Sequence, residues 1–92
     1  MKKKIEYYTA KWCGPCRMSK PVISSLINEG YNIEVIDIDE NRERAQTRHI
    51  TSVPTLILVE EGQRPKIHLG MLRPEQIKSA LDDGGKSNTV DV

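Results

Sequence analysis

Both cysteines of the chain lie in one short stretch, Lys11–Arg17, where they are separated by Gly14 and Pro15. A β-favouring run precedes this stretch and a helix-like run follows it, so we expect Cys13 where a helix begins. Unpaired N–H groups and aligned peptide dipoles put partial positive charge at a helix N-terminus. That charge stabilises a thiolate, and the thiolate is the form of cysteine that attacks sulfur. The pattern predicts a redox pair in which Cys13 is the nucleophile and Cys16, one turn later, resolves the mixed disulfide.

The alternative for two cysteines at this spacing is half of a zinc site. A structural zinc site takes four ligands, usually Cys or His. The remaining candidates are His49 and His68, and neither has the spacing of a zinc finger. Each is more typical of a surface or locally bonded histidine. We therefore favour the redox interpretation and expect neither a metal nor a cofactor.

The length of 92 residues predicts one domain over 1–83, followed by a flexible tail over 84–92. A net charge of +1 gives no general attraction to nucleic acid or to a membrane surface. No apolar run is long enough for a signal peptide or a transmembrane helix, so we expect a cytoplasmic protein. We also expect a monomer. Four arginines are expected to lie on a solvated face rather than in a binding patch: Arg42, Arg44, Arg48 and Arg64.

Hydrophobic periodicity and turn residues predict seven elements in the order β-α-β-α-β-β-α. They are strands at Ile5–Tyr8, Ile33–Ile38, Leu56–Val59 and Lys66–Leu69, and helices at Cys13–Asn28, Arg42–Arg48 and from Pro74 onwards. The third strand is an unbroken apolar run, which is typical of a central strand covered on both faces. The first helix is expected to bury one face, made of Met18, Val22, Ile23, Leu26 and Ile27.

The pentapeptide Trp12-Cys13-Gly14-Pro15-Cys16 resembles the active site of thioredoxins. Pro21, eight residues after Cys13, is similar to a proline that thioredoxins carry at the same distance. The resemblance extends from about Lys4 to Leu81. It implies a thioredoxin-like α/β fold with a mixed four-stranded sheet flanked by helices. Compared with full-length thioredoxins, the N-terminal strand and helix are missing.

The same resemblance implies a surface that binds the substrate. In thioredoxins the residue before a cis proline faces the cysteines, which assigns this place to Val53 and Pro54. A glycine after the fourth strand keeps the groove open, which assigns that role to Gly70. From the residues alone, an ordinary trans proline and a turn glycine are the alternatives. The full set implied is Trp12, Gly14, Pro15, Val53, Pro54, Gly70 and Met71.

Three positions depart from the thioredoxin pattern. Tyr7 stands where thioredoxins usually have a buried aspartate thought to accept the proton of the second cysteine, and we expect it to fill the core. Val35 replaces a lysine that commonly pairs with that aspartate, and Thr9 replaces a tryptophan. Arg17 could stabilise a thiolate, although a solvated helix residue is the favoured interpretation. The departures leave open which group takes the proton of Cys16.

The resemblance implies a reductase of disulfide-containing proteins, with a flavoenzyme similar to thioredoxin reductase as electron donor. Ribonucleotide reductase is one acceptor suggested by analogy with the family. The short chain and Ser52-Val53-Pro54 also fit a glutaredoxin-like reductase that uses glutathione. A third hypothesis, from another class, is a binding partner that uses the surface around Trp12 without redox cycling.

Overall fold

The computed structural model describes residues 2–82, which form one mixed sheet with three helices. The strands are β1 (Lys3–Thr9), β2 (Ile33–Asp37), β3 (Thr55–Glu60) and β4 (Lys66–Leu69), and the helices are α1 (Gly14–Asn28), α2 (Arg42–Thr47) and α3 (Pro74–Asp82). The predicted element order is confirmed, with bounds within one or two residues for most elements. The expected domain end at residue 83 and the tail over 84–92 lie outside the described residues.

The sheet order is β2-β1-β3-β4. Strand β2 runs parallel to β1, whereas β3 runs antiparallel to both β1 and β4, so the sheet is mixed, as the resemblance implied. The register pairs Tyr8 with Thr55 and Thr9 with Asp37. The loop that carries the cysteines therefore leaves β1 between the start of β3 and the end of β2.

The helix α1 begins and ends where local chemistry requires. Pro15 lies at its start, where a missing backbone N–H removes no helical hydrogen bond. The helix continues through Pro21 and is capped at its C-terminus by Glu29. Gly30 follows with φ +101, a left-handed conformation that favours glycine and is typical of the residue after a helix.

The buried face of α1 differs from the expected one. Met18 is 81% exposed and Ile27 is 38% exposed, so the prediction that both face the core is wrong. The buried residues of the helix are Cys16, Ser19, Ile23 and Leu26. Ser19 can face inward because its hydroxyl contacts the hydroxyl of Tyr7, and hydrophobic periodicity cannot detect such a paired polar residue.

Two apolar clusters lie on opposite faces of the sheet. On the face covered by α1 and α3, the main cluster consists of Ile5, Tyr7, Ile23, Leu26, Tyr31, Ile33, Leu56, Ile77 and Leu81. On the other face, a smaller cluster is built on Tyr8, Ile36 and Ile57. Leu56 and Ile57 are consecutive on β3 and enter different clusters, which confirms that the first half of this strand is covered on both faces.

Ion pairs to the sheet hold α2, which buries no residue. The carboxylate of Glu6 is 5% exposed and lies 3.1 Å from Arg48 Nε and 3.3 Å from Arg44 Nη2. Tyr8 Oη donates a hydrogen bond of 2.8 Å to the same carboxylate. Burial opposes ionisation, but the hydrogen bonds from Arg48 and Tyr8 and the two arginine charges outweigh it, so the pKa of Glu6 lies below its ordinary value.

A second carboxylate extends this ionic layer towards the edge of the sheet. Glu34 on β2 accepts hydrogen bonds from Arg44 Nη1 at 2.6 Å and from Lys4 Nζ at 2.8 Å. These bonds lower the pKa of Glu34 to about 2. Arg44 and Arg48 are thus bound to acidic residues of the sheet, and the expectation that they belong to a solvated face is wrong.

Within residues 2–82, no helix combines the length and the apolar character needed to cross a bilayer. The same residues contain no group of three or more His, Cys, Asp or Glu placed to hold a metal ion. His49 follows α2 with φ +56, and His68 lies on β4, so the two histidines belong to different elements.

Candidate active site

Cys13 is the N-cap of α1 and forms a disulfide with Cys16. Its backbone is extended, with φ −87 and ψ 114, and its Sγ accepts a hydrogen bond of 3.1 Å from the backbone N–H of Cys16. An N-cap side chain satisfies one of the free N–H groups of the first turn. In the reduced protein the same geometry favours a negative sulfur, because the N–H and the helix dipole both point positive charge at it.

The two sulfurs lie in a small apolar pocket of their own. Cys13 is 4% exposed and Cys16 is 1% exposed, and both pack with Ala10, Ile38 and Val53. Cys13 Sγ lies 3.6 Å from the carbonyl oxygen of Val53. Val53 therefore sits beside the cysteine that was predicted to attack.

The position of Val53 is fixed by the backbone around Pro54. The Val53–Pro54 peptide bond is cis, which confirms the expected isomer. The Pro54 carbonyl accepts a hydrogen bond of 2.8 Å from Gly70 N–H, and Thr55 Oγ1 donates one of 2.7 Å to the Ser52 carbonyl. The two predicted segments, Val53-Pro54 and Gly70, are thus joined by a direct hydrogen bond.

Gly70 has φ +89, which disfavours any residue with a side chain. A Cβ added there would meet no atom of the protein within 4 Å, so the space in front of it is open. The space in front of Gly14 is open as well, and this glycine does not have a positive φ. The backbone therefore demands glycine at position 70 and not at position 14.

Trp12 is 64% exposed and is held in one orientation by a hydrogen bond of 2.9 Å from its Nε1 to Asp39 Oδ2. Arg17 stabilises the loop that precedes Cys13. Its guanidinium donates two hydrogen bonds, of 3.1 and 3.2 Å, to the Lys11 carbonyl. Arg17 therefore binds the backbone of the loop, which neither of the two interpretations of this residue anticipated.

An apolar groove of about 630 Å³ opens beside the cysteines, between α1 and the segment before α3. Its lining includes Pro15, Met18, Val22, Met71 and Leu72. The groove explains why Met18 can be exposed, because its side chain lines this surface instead of entering the core. Pro15 and Met71 lie in the groove, whereas Trp12 is bonded to Asp39, on the turn after β2.

Comparison with known proteins agrees with this geometry. The family model described as thioredoxin matches residues 2–83. The chain belongs to the thioredoxin family. It is 35% identical over 77 residues to a thioredoxin of Chlamydia pneumoniae, covering 82% of this chain and 76% of that protein. It superposes on a mutant thioredoxin of Halobacterium salinarum with a TM-score of 0.78 and 28% identity, covering 97% of this chain and 78% of that one.

A further relative is a bifunctional thioredoxin reductase/thioredoxin of Mycobacterium leprae. It is 38% identical over 66 residues, which are 68% of this chain and 14% of that protein. Together with the Cys13–Cys16 pair, thioredoxin membership makes the chain a thiol–disulfide oxidoreductase that acts on proteins.

Tyr7 departs from the thioredoxin pattern and fills the core, as expected. It is fully buried, and its hydroxyl contacts Ser19 Oγ and donates a hydrogen bond of 3.3 Å to the Cys16 carbonyl. Ser19 Oγ also donates a hydrogen bond of 3.0 Å to this carbonyl. The phenol therefore binds the backbone of Cys16, and no hydrogen bond joins it to either sulfur within the described part of the chain.

Sequence reasoning missed several residues around the thioredoxin motif. Asp39 orients Trp12, and Ile38 packs on the cysteines. Both follow β2, and the signal was their place at the end of a strand parallel to β1. Leu69 is 65% exposed and pairs with Thr55, next to Pro54, where its apolar side chain precedes Gly70. A large apolar residue on a short edge strand could have indicated a binding role.

Proposed function

We propose that the protein reduces protein disulfides by dithiol exchange through Cys13-Gly14-Pro15-Cys16. The observation that carries this proposal is Cys13 Sγ at the start of α1, accepting the N–H of Cys16 and lying 3.6 Å from the Val53 carbonyl. This position favours a thiolate. It also places that thiolate beside the half-buried Val53, with whose backbone an extended substrate could pair.

The reaction has two exchange steps. In the first, the Cys13 thiolate attacks one sulfur of the substrate disulfide, the substrate S–S bond breaks, and its second sulfur leaves as a thiolate. In the second, Cys16 loses its proton and attacks Cys13 Sγ, which breaks the mixed disulfide and releases the other substrate sulfur. The substrate gains two electrons, and the protein is left with the Cys13–Cys16 disulfide.

The substrate would lie across the surface formed by the residues that the resemblance implied. Val53 and Pro54 would offer the backbone, and Gly70 would leave room for the substrate chain. The apolar groove beside Pro15 and Met71 would bind an apolar side chain near the substrate cysteine. The full set is Trp12, Gly14, Pro15, Val53, Pro54, Gly70 and Met71.

We place a flavoenzyme similar to thioredoxin reductase as the electron donor. The bifunctional relative supports this choice, because its name joins a thioredoxin reductase and a thioredoxin in one chain. Glutathione is the alternative donor, and ribonucleotide reductase is one candidate acceptor among proteins with disulfides. We expect the protein to act in the cytoplasm as a monomer, without nucleic acid, a membrane, a metal or a cofactor.

The test is to trap the mixed disulfide. In the Cys16→Ser variant, the first step should proceed and the second should fail, so substrates stay linked to Cys13 and are released by a reductant. The matched Cys13→Ser variant should form no such adducts, and adducts found only there would reverse the two roles. A turnover assay identifies the electron donor. Disulfide reduction is measured with NADPH and thioredoxin reductase, and separately with NADPH, glutathione and glutathione reductase.

The same variants separate an enzyme from a binding partner. The double variant Cys13→Ser, Cys16→Ser should lose the biological function of the protein if redox cycling carries it. Full function of the double variant in cells would instead establish the binding role and overturn the proposal.

A further inference from the structure

A second cleft lies behind the active site and reaches Cys16. Its volume is about 490 Å³, and it is lined by Thr9, Ala10, Lys11, Cys16, Arg17, Lys20, Val35, Asp37, Glu40 and Asn41. Cys13 is not part of this lining. Cys16, but not Cys13, therefore lines a cleft that also contains charged side chains.

The charged side chains of this cleft differ in whether they already have a hydrogen-bond or ion-pair partner. Lys11 and Glu40 form an ion pair of 3.0 Å, and Arg17 is bonded to the Lys11 carbonyl. Asp37 Oδ1 accepts the backbone N–H groups of Asp39 and Glu40, at 2.8 and 3.2 Å, and so closes the turn after β2. Within residues 2–82, the ammonium of Lys20 has no hydrogen bond or ion pair.

The three elements around Cys16 supply no other ionisable group to the cleft. From α1 come Arg17 and Lys20, from the cysteine loop comes Lys11, and from the end of β2 and its turn come Asp37 and Glu40. Tyr7 on β1 lies beneath and is bonded to the Cys16 carbonyl. Three cations against two carboxylates give the cleft an excess of one positive charge. Within residues 2–82, Lys20 is the one of these three cations that has neither a hydrogen bond nor an ion pair.

Val35 leaves β2 without a cation in this cleft. Its position is where thioredoxins commonly carry a lysine, and here the side chain is apolar and lines the same cleft as Lys20. The chain therefore has a cation in this cleft from α1 where the sheet does not provide one. A nearby positive charge favours the thiolate form of cysteine.

We propose that Lys20 is a positioning residue for the second step of the proposed reaction, acting on Cys16 through the cleft that both residues line. Its ammonium stabilises the Cys16 thiolate while the thiol proton leaves to water in the cleft. The thiolate then attacks Cys13 Sγ and expels the substrate sulfur. The inference rests on the proposed function, but it concerns the resolving cysteine alone.

The direct test is the ionisation of Cys16 in the Cys13→Ser background, followed by thiolate absorbance across pH. Lys20→Gln should move the midpoint of Cys16 ionisation upwards by about half a pH unit to one unit, as expected for loss of one charge in a partly solvated cleft. Lys20→Arg should keep the midpoint. Lys66→Gln is the matched control, because it also removes one positive charge, but from β4, which is separated from β2 by two strands. This variant should leave the midpoint of Cys16 ionisation unchanged.

A second test uses the intact dithiol and a symmetrical aryl disulfide, which releases one coloured aryl thiolate in each step. Lys20→Gln should leave the first release unchanged and slow the second by about threefold to tenfold below the midpoint pH. An unchanged second release and midpoint in Lys20→Gln, or an equal change in Lys66→Gln, would overturn the role of Lys20. Failure of the unmodified protein to reduce any disulfide would overturn the proposed function instead.

Discussion

At the scale of single residues, Gly70 combines a backbone requirement with an open space. Its φ of +89 demands glycine, and the volume in front of it is empty in the protein. The Gly70 N–H also binds the Pro54 carbonyl, which sets the distance between this glycine and the segment facing Cys13. A side chain at position 70 would therefore affect both folding and the proposed substrate groove.

We expect Gly70→Ala to lower the free energy of unfolding by about 1–2 kcal/mol, because alanine is strained at positive φ. It should also raise KM for a protein disulfide by about fivefold, which corresponds to roughly 1 kcal/mol of lost binding. Gly62→Ala is the matched control, since Gly62 has φ +80 in the turn between β3 and β4. Urea unfolding and steady-state kinetics check both variants, and an equal KM change in both would show that the groove is not involved.

The residues at the site differ in how far the sequence could predict them. The redox pair was predictable from the spacing of the two cysteines, whereas Pro54 and Gly70 were assigned only through the resemblance to thioredoxins. Ser19 was not, because a serine is expected to be exposed unless its partner is known, and Tyr7 is distant in sequence. Asp39 was missed for the same reason, since its partner Trp12 lies 27 residues earlier in the chain.

At the scale of elements, α2 is held to the sheet by charge, whereas α1 and α3 are held by apolar burial. The helix has six residues and none is buried. Its arginines instead meet Glu6, whose carboxylate is almost fully enclosed. The same ionic contact therefore lies on the element that precedes Val53 along the chain.

Glu6→Gln should lower the free energy of unfolding at neutral pH by about 1–3 kcal/mol, because two arginines lose a buried ionised partner. The pKa of Glu6 is lowered in the folded protein. Its contribution is therefore complete above the pKa of an unfolded glutamate, about 4.3, and is lost as the pH falls through the folded value.

The free energies of urea unfolding of the unmodified protein and of Glu6→Gln should consequently become more similar as the pH falls below about 4. Glu61→Gln serves as the control, because within residues 2–82 the Glu61 side chain has no ion pair. A difference in stability that stays constant down to about pH 2 would show that the ionised form of Glu6 contributes nothing.

The sequence predicted α2 itself from its capping and polar residues, but not its attachment. Glu6 alternates with Ile5 and Tyr7 in β1, and a glutamate in that position is expected to face solvent. Its partners, Arg44 and Arg48, lie 38 and 42 residues later. A pairing over such a distance is visible only when the sheet and the helix are assembled.

At the scale of the whole molecule, the two faces of the sheet have different kinds of packing. The face under α1 and α3 contains the larger apolar cluster, and the face under α2 contains three buried apolar residues and the ionic layer. Elements with few buried apolar contacts open more easily than the core. The order of the elements along the chain was predictable from the sequence, but this asymmetry was not.

Hydrogen exchange at the amide level should therefore show two classes of opening. Amides in β1, β3 and the middle of α1 should exchange only through global unfolding, whereas those of α2 should exchange through a smaller opening of lower free energy. Lowering the pH towards about 4 should increase this difference as Glu6 begins to take up protons. Equal opening free energies for α1 and α2 would contradict the asymmetric packing.

Trp12 has a consequence for how the protein can be observed. It is the single tryptophan of the 92 residues and directly precedes Cys13, and its indole is fixed by the bond to Asp39. A disulfide quenches the emission of an adjacent indole, so intrinsic fluorescence will follow the oxidation state of this one site without a label. Turnover of the protein should therefore be measurable in real time from the fluorescence of Trp12.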